Sequence, residues 1–69
     1  MTCELKERLL ASYQATTRSF AAAVDELHRN IGTSSLNEYQ RLQRLTDEAR
    51  LKSEEARLAL ENHVATHHC

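Results

Sequence analysis

The chain has 69 residues, with nine Lys and Arg set against ten Asp and Glu and a formal net charge of −1, so no whole-chain field draws it to nucleic acid or anionic lipid. At this length it is one domain at most, and so small a domain hides too little of its surface to be robust without help. Ten Leu and nine Ala dominate the apolar content, proline is absent and β-branched residues are few, which excludes a strand-rich fold and points to an all-α chain.

No stretch approaches the roughly 18 apolar residues that a membrane span needs. Met1-Thr2-Cys3-Glu4-Leu5-Lys6 also lacks the basic segment and apolar run of a secretory signal. The expectation is a small cytoplasmic protein that does not enter membranes.

The first predicted element is a helix over about residues 3–31. Leu10, Thr17, Val24 and Ile31 recur at one heptad position, and Lys6, Tyr13, Phe20 and Leu27 at the next. Leu5, Leu9, Thr16 and Ala23 widen this apolar face beyond what one neighbouring helix covers. Thr2 is placed to cap the start, with Glu4 and Glu7 near the positive end of the helix dipole and His28 and Arg29 near the negative end.

Gly32 is the only glycine, and it marks the place where the backbone reverses, in a turn over residues 32–35. Ser35-Leu36-Asn37-Glu38 has the capping-box pattern that opens a second helix over about residues 36–66. Helices joined this tightly run antiparallel as neighbours, so the fold expected is a two-helix antiparallel hairpin.

Along the second helix Tyr39, Leu42, Thr46, Ala49, Ser53, Ala56, Leu60, His63 and His67 alternate four and three apart. Its small middle residues leave room for the bulky Tyr13, Phe20 and Leu27. Leu45 and Ala59 flank this row, while Leu36, Leu51 and Leu58 lie away from it as a conceivable second contact surface. The core and interface expected from these rows comprise Leu10, Tyr13, Phe20, Val24, Leu27, Tyr39, Leu42, Leu45, Ala49, Ala56 and Leu60.

Two such helices, each spanning about 45 Å at 1.5 Å per residue, shield only one side of each stripe. The simplest remedy is a homodimer that closes a four-helix bundle, with a longer assembly or another helical protein as other possible partners.

Three chemical readings compete with this interaction module. The tail His63-Val64-Ala65-Thr66-His67-His68-Cys69 places two histidines one helical turn apart, and Cys3 approaches it in an antiparallel hairpin. Cys3, His63, His67 and Cys69 would make a tetrahedral zinc set, with His68 as a substitute ligand. The same closeness suggests a Cys3–Cys69 disulfide, which would stabilise by about 4 kcal/mol in the chain-entropy model. Against these, no CxxC knuckle is present, chain ends fray, and counting outward from Gly32 sets Cys3 opposite His63 rather than Cys69.

RNA binding by a hairpin dimer is the third reading. Arg41, Arg44, Arg50, Lys52 and Arg57 alternate with Asp47, Glu48, Glu54, Glu55 and Glu61, so they compose a salt-bridged solvent face rather than a basic stripe. Acid-first pairs four apart, Glu48 to Lys52, Glu4 to Arg8 and Asp25 to Arg29, agree with that. A Cys and His pair needs a cleft and an oxyanion-stabilising group before it can act as a nucleophile, and a hairpin offers neither, so no enzymatic activity is expected.

Overall fold

The computed structural model describes residues 3–67. They form α1 (Glu4–Asn30) and α2 (Leu36–His67), packed against each other along their lengths as a hairpin. The slab measures 52 × 15 × 11 Å, and its radius of gyration of 15.7 Å exceeds the roughly 11 Å of a compact globule of this length. It is therefore a single layer two helices wide, with no third element among the described residues to cover either broad face.

Cys3 occupies the N-cap of α1 in extended backbone, its carbonyl accepting from Glu7 N–H at 3.1 Å. Its side chain makes no cap bond, which leaves the sulfur to face α2. Thr2, expected as the cap, lies outside the described residues. Glu4 and Glu7 in the first turn and His28 and Arg29 in the last complement the helix dipole.

The end of α1 falls at Asn30, one residue before the expected Ile31, which turns out with ψ 124. The reason is the demand on one carbonyl. Asn30 O accepts from Thr33 N–H at 3.3 Å, Ser34 N–H at 3.2 Å and the Ser34 hydroxyl at 2.6 Å, which satisfies the helix end as Gly32 takes φ 81.

Ser35 then caps α2, its Oγ accepting from Glu38 N–H at 3.2 Å. The reciprocal half of the capping box is diverted, since the Glu38 carboxylate accepts from the Arg41 guanidinium. That hydrogen bond holds the Glu38 carboxyl below its ordinary value.

In α2 the seam runs where the periodicity predicts. Leu42, Thr46, Ser53 and His63 are buried and Tyr39, Ala49, Ala56 and Leu60 half-buried. On α1 the central row is Tyr13, Phe20 and Leu27, joined by Val24 and by Leu9, Thr16 and Ala23, all half-buried.

Two residues of the expected core and interface, one from the α1 row and one that flanks the α2 row, lie outside the seam between the helices. Leu10 is 41% exposed and Leu45 is 45% exposed. One neighbouring helix covers a face about three rows wide, and the small Thr16 and Ala23 let α2 settle on their side of the Tyr13–Phe20 row. Leu9 thus takes the place expected of Leu10.

The packed core is thin and largely polar. Leu42, at 7% exposure, is the only buried apolar residue described, and no residue of α1 is fully buried. Across the seam the Thr17 and Ser53 hydroxyls lie 3.0 Å apart, and the Thr46 hydroxyl, which donates to Leu42 O of its own helix at 2.9 Å, also reaches Ala23 O of α1 at 3.3 Å. No buried side-chain nitrogen or oxygen among the described residues lacks a partner. The hydrogen bonding is complete, while much of the apolar surface that the stripes carry is still open to water.

Outside the seam the charged residues pair along each helix: Arg29 with Glu26, Arg41 with Glu38, Arg50 with Glu54 and Arg57 with Glu61. Arg29 turns to Glu26 rather than to Asp25. All are solvated contacts that contribute little each.

Candidate functional site

Two regions of the hairpin carry chemistry beyond its own packing: the open end and the uncovered broad faces. At the open end, α1 begins beside the last turns of α2, because about the same number of residues separates each from Gly32. The Cys3 Sγ lies 3.1 Å from the His63 Nε2, and His63 is 8% exposed. A buried imidazole needs a partner for its ring nitrogen, and the sulfur supplies it. His67, one turn on, stacks its exposed ring against His63 with centroids 4.7 Å apart and planes at 30°.

Of the four residues expected to bind zinc, the structure thus joins Cys3 and His63, and it places His67 against the His63 ring. Among the described residues, no group of three or more His, Cys, Asp and Glu side chains is gathered tightly enough to hold a metal ion. Cys69 and His68 lie outside the described residues, and with them the Cys3–Cys69 disulfide and the completion of a zinc set.

Much of the apolar surface stays open to water: Leu5, Leu10, Ile31, Leu36, Leu45 and Val64 are exposed beside the seam, and Leu51 and Leu58 on the side of α2 away from it. One face holds a shallow groove lined by Thr16, Ser19, Leu45, Glu48, Ala49 and Lys52. A second groove, lined by Tyr13, Gln14, Thr17 and Arg18, runs along the other flank of α1. No helix among the described residues is long and apolar enough to cross a membrane.

No family model matches the chain, and neither a curated protein nor a solved structure does.

Val64 and the pairing of the cross-seam hydroxyls are not among the features that the sequence pattern singles out. Val64 shares a heptad row with Leu36, a signal that was present in the spacing. Thr17 with Ser53 had no such signal, because their meeting depends on the register between the helices.

Proposed function

We propose that the hairpin is a non-enzymatic, self-associating interaction module that completes its core by burying helical stripes against another chain. The observation that carries this reading is the mismatch between pattern and burial: two long amphipathic helices leave a single apolar residue buried. The exposed area points the same way. The chain exposes 5329 Å², roughly 900 Å² more than the roughly 4400 Å² of a compact monomer of its mass, and a standard interface buries about 800 Å² per partner. A homodimer forming a four-helix bundle is the assembly proposed, in a cytoplasmic setting.

Sedimentation equilibrium from low to high micromolar concentration tests it. A dimer mass supports the reading, and a monomer throughout that range overturns it.

A second reading, favoured by the Cys3–His63 contact, is a zinc-binding hairpin. Native mass spectrometry of reduced protein offered stoichiometric zinc decides it: a bound zinc lost on His63→Ala supports it, and zinc-free chains exclude it.

A further inference from the structure

The exposed apolar side chains are not spread evenly over the slab. The groove bordered by Thr16, Ser19, Leu45 and Lys52 marks one broad face. On the other side of the seam lie the α1 row Leu10, Thr17, Val24 and Ile31 and, from α2, Leu36 and Val64. Ile31 and Leu36 are both exposed at the turn end, while Leu10 and Val64 lie towards the open end.

We propose that this face pairs with the same face of a second copy of the chain, antiparallel, about a two-fold axis passing beside Ala21. The proposal rests on the self-association reading and adds the surface, the partner and the orientation.

Symmetry argues for it first. Leu10 and Ile31 are equidistant from a point between Phe20 and Ala21, and Leu36 and Val64 are equidistant from Arg50. The Thr17–Ser53 contact sets the level of one helix against the other, and it brings these two midpoints to the same height in the hairpin. One axis therefore exchanges both pairs, laying Leu10 on Ile31 of the second copy and Val64 on Leu36 of the second copy. An isologous interface requires such self-complementarity.

Helix geometry agrees. The seam on α1 runs between the Thr16–Ala23 and Tyr13–Phe20 rows; from its middle the Thr17–Val24 row lies about 70° and the Gln14–Ala21–His28 row about 120° round the helix, so the direction between these two rows is about 95° from the seam. That is close to the quarter turn between the two neighbours of any helix in a square four-helix bundle. Ala21 at the axis admits close approach. The groove lined by Tyr13, Gln14, Thr17 and Arg18 falls on this flank, where it receives Val24 and His28 of the second copy.

Charge selects the orientation. Arg18 and Asp25 are both exposed, and neither joins an ion pair among the described residues. Antiparallel pairing sets Arg18 beside Asp25 of the second copy twice over, and the two Arg50 side chains that meet at the axis are each held by their own Glu54 at 3.1 Å, whereas parallel pairing would set Arg18 on Arg18 and Asp25 on Asp25.

Mixed disulfide trapping tests the orientation. Chains carrying Leu10→Cys and Ile31→Cys, both at exposed positions, are mixed and air-oxidised, and the joined peptides are mapped by mass spectrometry to set aside links through Cys3 or Cys69. The antiparallel arrangement gives the mixed Leu10→Cys to Ile31→Cys link. Charge reversal supplies an independent arm: Arg18→Asp weakens dimerisation roughly tenfold at unchanged helicity, and adding Asp25→Arg restores it. Links between like variants alone would overturn the orientation. A dimer that forms none of these links and ignores Arg18→Asp would overturn the face, and a monomer would overturn the self-association reading itself.

Discussion

The Thr17–Ser53 hydroxyl pair offers a test of how the seam is stabilised. Ser53 is buried, and its Oγ lies 3.0 Å from that of Thr17, whose residue is exposed. Thr17→Val removes one partner and leaves the Ser53 hydroxyl in a place water reaches poorly, a loss of about 1–2 kcal/mol. The lower end applies if that hydroxyl turns to the carbonyl one turn back, as Thr46 does with Leu42. Ser53→Ala strands the Thr17 hydroxyl, which water reaches in the separated hairpin, so its cost below the dimerisation concentration is about 0.5–1 kcal/mol. The double variant should cost less than the sum, with a coupling of about 1 kcal/mol. Urea unfolding followed by circular dichroism, at one fixed chain concentration, measures all four corners of the cycle. Strict additivity would refute the reasoning, since it would mean that the two hydroxyls do not bond to each other.

Three further outcomes follow from the same structure. Gly32→Ala meets no atom within 4 Å of the added methyl, yet φ 81 remains strained for it, so a loss of about 1 kcal/mol in thermal unfolding is expected without a change of fold. Leu42→Ala opens a cavity at the only buried apolar position among the described residues and should cost about 2–4 kcal/mol, read as a fall in the urea midpoint. The Glu38 carboxyl, lowered by the Arg41 hydrogen bond, contributes stability that is present above the ordinary carboxylate value and lost as pH falls through its own lower value. An acid titration of melting temperature should therefore be shallower at its acid end in Glu38→Gln than in the parent chain.

The hairpin and the α2 seam were legible because Leu42, Thr46, Ala49 and Ser53 repeat in a single row, flanked on either side mostly by charged or polar residues. Gly32 and Ser35 likewise mark the turn by backbone requirements that few residues meet. On α1 the pattern was ambiguous. Leu5, Leu9, Leu10 and Val24 spread apolar character over adjacent rows, and periodicity alone does not say which row a lone neighbour covers. Heptad spacing places Leu10 in the seam, and the open face that it borders shows how a broad stripe exceeds what one helix hides. At the open end, counting from Gly32 set Cys3 opposite His63, and they meet there. The stacking of His67 on His63, instead of a convergence on one point, reflects side-chain rotamers that spacing does not encode.

The polar contacts across the seam have a consequence for alignment. A seam of leucines tolerates sliding, because a shift of one turn, about 5.4 Å, exchanges one leucine for another at little cost. In this hairpin the same slip would carry Ser53 away from Thr17, Thr46 away from the Ala23 carbonyl and His63 away from Cys3, three losses at once. Groups that add little to the strength of packing thereby act as a ruler between the two helices, and the hairpin is held at a single setting.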